Sequence, residues 1–298
     1  MKMLRKKLFR KYLYYLVSRY YFKSVLKTSP ISSYKNAKAE VHSLLCHKDL
    51  YLYLYSIKSF IQNTSDCSII VHDDGSLTSK DKSILNTHIE NVKIYGYKEA
   101  NEIVNCKVDA YKNIRKLRET YPLLKKLTDF HLLSKTKKII SLDSDILFLR
   151  KSNDIIKWIQ STKKYAMLSD ESPVFSHQDK FLINTHFKYI KNLNSGLMCY
   201  HKDMIDLPLA EKCFSLKGFI TTYRPNGVGD QQFMAVNFGE VQYKNNISVK
   251  RLSALKYVHN KKIWKKAVIA KHYWSAKGSL RSLLVYCKDK IKVDEILK

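Results

Sequence analysis

KKIISLDSDILFL, residues 137–149, is the stretch from which the rest of the chain can be read. Ile139, Ile140 and Leu142 form one short apolar run, and Ile146, Leu147, Phe148 and Leu149 form another. Runs this short and this rich in Ile and Leu read as buried strand. Between them stand Asp143, Ser144 and Asp145. In an extended chain, residues two apart put their side chains on the same side. Buried carboxylates need a cation or hydrogen-bond donors to offset their lost hydration. A divalent cation held by Asp oxygens and shared with a substrate's phosphates meets that need. A plain Asp-Ser-Asp turn at a strand end fits the same letters, so the surroundings must decide.

With 298 residues, 45% of them hydrophobic, the chain is long enough for one large α/β domain or two small ones, with an ordinary core. Lys and Arg number 54 against 26 Asp and Glu, a formal charge of +28. Such an excess favours polyanionic partners: nucleic acid, anionic lipid or phosphorylated substrates. Only eight glycines are present, and the sole G-x-G is Gly227-Val228-Gly229. That excludes a Walker loop and a dinucleotide fingerprint, so phosphates must be held another way. Cys46, Cys67, Cys106, Cys199, Cys213 and Cys287 form no C-x-x-C pair, which points to reduced thiols in a cytosol.

Residues 1–35 carry ten basic residues and no acid. Leu4, Leu8, Tyr12, Leu13, Leu16, Val17 and Tyr20 recur among them at helical spacing. The charge-free run 12–18 is far short of the ~20 residues a membrane span needs. This segment is expected to be a basic amphipathic helix, lying on an anionic membrane surface or packing its apolar stripe on the domain. Residues 36–298 are expected to form one α/β domain. Strands over 41–46, 67–72 and 92–95 alternate with helices over 50–62 and 80–88, the order of a parallel sheet with right-handed crossovers. Ligands in such sheets bind beyond the carboxyl ends of the strands, where the loop 72–76 and Asp143/Asp145 would fall. Further helices are expected from Tyr111, over 123–133, 153–160 and 208–216 and through 233–236. Short strands are expected at 165–168, 241–243 and 247–250. In the helix 123–133, Lys126 and Asp129 can face either solvent or the site.

Four polar clusters sit at the ends of apolar runs: Asp143/Asp145, Asn194-Ser195-Gly196, Asp230-Gln231, and His272 with Lys277. Each alone has a structural reading, as a turn, a helix cap or a buried His. Together they supply a set suited to nucleotide-sugar chemistry. Two Asp and one His suit an octahedral Mn²⁺ or Mg²⁺. The metal and a lysine would neutralise a diphosphate leaving group, and amides and carboxylates would bind sugar hydroxyls.

The chain resembles the GT-A glycosyltransferases with a D-x-D motif, particularly bacterial proteins of the retaining galactosyltransferase and glycogenin type. The resemblance runs from about residue 40 to 277, on HDDGSLT (72–78), KLTD (126–129), LDSDILFL (142–149), NSGL (194–197), GDQQ (229–232) and HY (272–273). It implies a GT-A, Rossmann-like fold with a mostly parallel central sheet flanked by helices. It implies Asp143 and Asp145 as metal ligands, Asp145 the more direct and Asp143 also near the ribose, with His272 as the third. Asn194 and Asp230 would contact the donor sugar, Gln231 would lie beneath the anomeric carbon, and Lys277 would reach the diphosphate. The activity implied is transfer of a sugar from a nucleoside diphosphate sugar to a glycan or lipid-linked acceptor, leaning to retention, with Asp230 the base if the reaction inverts. The cell site implied is cytoplasmic, and peripheral on the inner face of the membrane if the N-terminal helix lies on it rather than packing on the domain. This chain departs from the pattern near the first strand, where Cys46-His47-Lys48-Asp49 stands, and after the histidine, where only Lys277-Gly278 remains. Two other readings compete: a sugar-phosphate nucleotidyltransferase, against which stands the missing glycine-rich loop after the first strand, and a non-enzymatic polyanion-binding module. No specific nucleic-acid partner is expected.

Overall fold

The computed structural model describes residues 2–64, 67–174, 186–216, 229–259, 267–273 and 280–298. Helix α1 (Lys2–Leu16) runs into a π turn and a 3₁₀ turn over residues 17–27, and a short strand β1 (Ile31–Ser32) follows. Then come β2 (Ala39–Leu45), α2 (Leu50–Asn63), β3 (Ser68–Asp73), α3 (Ser79–His88), β4 (Ile89–Glu90) and β5 (Lys93–Tyr95). α3 starts where Thr78 and Asp81 form a capping box, which fixes the boundary chemically. Three helices, α4 (Tyr97–Lys107), α5 (Lys112–Thr120) and α6 (Lys125–Leu133), lead to β6 (Lys138–Leu142) and β7 (Ile146–Phe148). The second half supplies α7 (Asn153–Gln160), β8 (Ala166–Pro173), β9 (Asn192–His201), α8 (Leu207–Ser215) and α9 (Gly229–Asn245). It closes with β10 (Val249–Leu252), β11 (Tyr257–His259), β12 (Ala270–His272) and α10 (Leu280–Ile296).

Seven strands make the central sheet in the order β10-β8-β9-β6-β2-β3-β5. All neighbours are parallel except β9, which runs antiparallel to both β6 and β8. β3 and β6 are buried at every residue, the signature of strands covered on both faces. One core cluster fills the face carrying α2 and α10, and a second fills the face carrying α4, α6, α8 and α9. α2 is apolar almost all round and correspondingly buried. It also buries Lys58, whose Nζ donates to Thr28 O, Thr28 Oγ1 and Ser29 O, tying the linker to the domain. Burial lowers the pKa of that lysine to about 8. Phe22 and Val25 are fully buried in the same cluster, so residues 17–27 belong to the core rather than hanging from it.

The stretch 137–149 is not one strand. β6 lies in the large sheet, while β7 joins a second sheet of order β11-β12-β7. Asp143, Ser144 and Asp145 turn the chain from one sheet to the other. The same-side argument for an extended run therefore does not apply, although the two carboxylates do converge. Residues 241–243, expected as strand, lie inside α9. Residues 232–241 are buried without a break, so this is a helix enclosed on all sides, and the local Val-Gln-Tyr alternation does not make a strand of it. Asn194-Ser195-Gly196 sits within β9, not at a turn before it.

α9 packs directly on the backbone at residues 187–190, with Ile190 N donating to Ala235 O at 2.9 Å and Lys188 N to Glu240 Oε1 at 2.6 Å. Gly239 makes that approach possible. A Cβ there would collide with Tyr189 Cα and lie 2.6 Å from Lys188 O. Main chain cannot rotate away as a side chain can, so Gly239→Ala should lower stability by about 2–3 kcal/mol. The urea midpoint checks this, and an unchanged midpoint would contradict the packing described.

Candidate active site

The geometry follows from two pairings at the carboxyl end of β6. β9 runs antiparallel beside β6 with Leu142 opposite Leu197, and Asp143 N donates to Gly196 O at 2.8 Å. β12 runs antiparallel to β7 with His272 opposite Ile146, and Tyr273 N donates to Asp145 O at 3.0 Å. Ser56 Oγ from α2 donates to Asp143 O at 2.9 Å, holding the turn from below. Residues far apart in sequence thus reach one point. His272 Nε2 lies 3.0 Å from Asp145 Oδ1 and 3.9 Å from Asp143 Oδ2. Ligand atoms of Asp143, Asp145 and His272 all fall within 4.8 Å of one another. Two carboxylates and an imidazole make a donor set that fits a hard or borderline divalent cation. The space beside them exists because residue 196 is glycine: a Cβ there would lie 2.6 Å from His272 Cε1 and 3.0 Å from Asp143 Oδ2.

Lys126 resolves toward the site. Its Nζ donates to Asp143 Oδ1 at 2.6 Å and lies 4.0 Å from Asp230 Oδ2, with the side chain 6% exposed. Burial works against its charge, but Asp143 and Asp230 outweigh burial and hold its pKa above the ordinary lysine value. Asp129, its neighbour in KLTD, turns the other way and forms a buried two-bond pair with Arg118, at 2.9 Å for each bond. That residue is structural.

Asp230 opens α9 and is buried. Ser195 Oγ donates to its Oδ2 at 2.8 Å. Burial raises its pKa, and Lys126 and Ser195 pull against the rise. Gln231 follows in the same first helical turn, half-buried. Asn194 Oδ1 accepts from Gly196 N at 2.9 Å, so this amide is oriented by its own strand. Lys277 lies outside the described residues. The loop after β3 serves its own shape: Asp73 Oδ1 accepts from Gly75 N and Leu77 N, and Asp74 Oδ1 accepts from Ser76. His72 turns into the core, where its Nε2 meets His42 Nδ1 at 2.9 Å.

Two neighbours of the site carried no distinguishing signal in the sequence. His259, opposite His272 in β11, brings its ring centroid within 5.3 Å of the His272 ring. Tyr14 of α1 is buried close to Asp49 and Asp145, and burial together with those carboxylates raises its pKa well above the ordinary phenol value.

No protein-family model matches the chain, and neither does any curated protein sequence. Solved structures do match. Mouse xyloside xylosyltransferase 1 superposes with a TM-score of 0.52 at 11% identity, over 82% of this chain and 98% of that one. The chain has the GT-A glycosyltransferase fold. Looser overlays are found with the galactosyltransferase LgtC bound to donor and acceptor sugar analogues, at TM-score 0.49 and 14% identity over 84% of this chain and 95% of that one. Another is Aspergillus fumigatus core-mannan synthase A in its Mn/GDP form, at TM-score 0.42 and 12% identity over 69% and 70%. In this GT-A chain the D-x-D turn and His272 stand at the carboxyl edge of the sheet.

Proposed function

We propose that this protein is a metal-dependent glycosyltransferase that moves a hexosyl group from a nucleoside diphosphate sugar to a glycan or lipid-linked acceptor. The observation that carries this reading is the convergence of Asp143, Asp145 and His272 beside Lys126, Asp230 and Asn194. Mn²⁺ or Mg²⁺ held by Asp143, Asp145 and His272 would supply charge stabilisation for a departing diphosphate. The chain's own groups do the rest. Asp143 would also meet the donor ribose, and Lys277 would reach the diphosphate. Asn194 and Asp230 would hold hydroxyls of the donor sugar, with Lys126 Nζ 4.0 Å from Asp230 Oδ2. Gln231 presents its amide to the anomeric carbon, which favours retention. Asp230 is the base in an inverting reaction.

The test is a donor screen across UDP-, GDP- and CMP-sugars, reading metal-dependent binding and hydrolysis, with the product anomer assigned by NMR. Retained configuration and strict dependence on Mn²⁺ or Mg²⁺ are the expected results. Pyrophosphate-dependent exchange instead would indicate sugar-phosphate nucleotidyl transfer. Salt-sensitive nucleic-acid binding with no turnover would indicate a polyanion-binding module.

A peripheral position on the inner face of the membrane belongs to the same proposal. Among the described residues no helix is long and apolar enough to cross a membrane. Yet Leu8, Phe9, Tyr12 and Tyr15 of α1 are exposed, at 59, 62, 60 and 47%. They lie in a segment without a single acidic residue. Tyrosine favours the boundary between water and hydrocarbon, and each basic residue near an anionic leaflet adds about 1 kcal/mol. Because Phe22 and Val25 are core, the informative variant changes the outer face alone. Replacing Leu8, Phe9, Tyr12 and Tyr15 together by Ser should weaken sedimentation with phosphatidylserine vesicles at least about tenfold. Turnover on a soluble acceptor should persist. Equal vesicle binding by both forms refutes the membrane face.

A further inference from the structure

Two side chains flank His272 in sequence, and both end on one carboxylate oxygen. Lys271 Nζ donates to Asp289 Oδ2 at 2.8 Å, and the Tyr273 hydroxyl donates to the same oxygen at 2.5 Å. Alternation along an extended chain sends residues 271 and 273 away from the side on which 272 projects. His272 therefore faces Asp145 while its neighbours reach back to α10. Asp289 is completely buried, and Lys271 and Tyr273 are 3% and 1% exposed. The Tyr273 ring also stacks on Tyr286, one turn earlier in α10, at 4.2 Å between centroids and 13° between planes. From the other side, the Tyr273 amide is bonded to Asp145 O at 3.0 Å. The end of β12 is thus held twice, by its backbone to the D-x-D turn and by its side chains to one buried acid.

Stability alone is a poor reason for such an arrangement. A buried ion pair often contributes no more than well-packed apolar side chains of similar size. A lysine, a phenol and a carboxylate meeting at one atom, however, specify a position, which an apolar cluster does not. We propose that Asp289 is a positioning residue for the metal ligand His272, setting the strand end so that the imidazole meets Asp143 and Asp145. The inference rests on the metal reading above and adds to it a buried acid on the C-terminal helix.

The experiment measures the Mn²⁺ dissociation constant of the full chain without donor, from the EPR signal of free Mn²⁺, alongside the thermal midpoint. Asp289→Asn keeps an acceptor but leaves Lys271 facing a neutral amide, and should weaken Mn²⁺ binding about tenfold or more. The triple change Lys271→Met, Tyr273→Phe and Asp289→Leu removes the polar cluster and fills its space. It should match or exceed the unaltered thermal midpoint and still bind Mn²⁺ about tenfold more weakly. A merely structural role predicts the reverse, affinity that follows stability. Tyr273→Phe alone removes one hydroxyl and should weaken binding about threefold, so it carries the test where a charge variant does not fold. Unaltered Mn²⁺ affinity in the variants that fold overturns the positioning role and leaves the metal site standing. No Mn²⁺ binding by the unaltered chain overturns the metal reading itself, and this inference with it.

Discussion

Asp145→Asn is expected to abolish metal-dependent donor binding and to lower kcat/KM by at least about a thousandfold, equivalent to ~4 kcal/mol of transition-state stabilisation. The substitution conserves volume and removes one negative charge. The two carboxylates of the D-x-D turn are not equivalent in this respect. Asp143 shares its charge with Lys126 at 2.6 Å, whereas Asp145 faces the His272 imidazole at 3.0 Å. Asp145 is also 7% exposed, so solvent does little to replace the charge. The fold should survive, because the backbone bond from Tyr273 N to Asp145 O does not involve the side chain. Calorimetric Mn²⁺ titration and donor hydrolysis measure the effect, with circular dichroism as the control for folding. Mn²⁺-dependent turnover equal to that of the unaltered protein would sink the assignment of this turn as the metal site.

The features of the fold legible in the sequence were those written in local chemistry. The first three strands of the large sheet and the two helices between them follow from apolar runs and turn residues, and Thr78 with Asp81 marks the start of α3 by hydrogen bonds made within four residues. What local chemistry does not carry is which strands meet. Nothing in residues 137–149 says that β6 and β7 belong to different sheets, because that is decided by β12, more than a hundred residues later. α4 was missed for the opposite reason: with Ala100 and Val104 its only buried side chains, it has almost no apolar stripe to read. α10 hides a buried Asp289, which anchors β12, and a buried Lys290, which pairs with Asp294, among its apolar positions, so its pattern is blurred.

The same division holds at the candidate site. Asp143, Asp145 and His272 were identifiable because carboxylates and an imidazole at the ends of apolar runs need a reason to be there. The two members of KLTD were undecidable from pattern, since Lys126 and Asp129 are three apart on one helix. Their fates separate in space, Lys126 toward Asp143 and Asp129 toward Arg118. Only the position of α5, which carries Arg118, makes that choice.

Gly196→Ala should be nearly as damaging as loss of a ligand, although it adds only a methyl group. The backbone at residue 196 cannot retreat, because its carbonyl accepts from Asp143 N at 2.8 Å and its amide donates to Asn194 Oδ1 at 2.9 Å. The added Cβ would stand 2.6 Å from His272 Cε1, 2.9 Å from Asn194 Oδ1 and 3.0 Å from Asp143 Oδ2. Three side chains assigned to metal or donor must therefore move at once. Each is a side-chain tip rather than main chain, so the strain is relieved by displacement of the site and not by unfolding. This is the contrast with Gly239, where the methyl meets the backbone of Tyr189 and stability takes the loss. Mn²⁺ affinity should fall about a hundredfold in Gly196→Ala. Its urea midpoint should move less than that of Gly239→Ala. Measuring both quantities on both variants decides the matter: full Mn²⁺ binding by Gly196→Ala would mean that His272 and Asp143 do not hold the metal side by side.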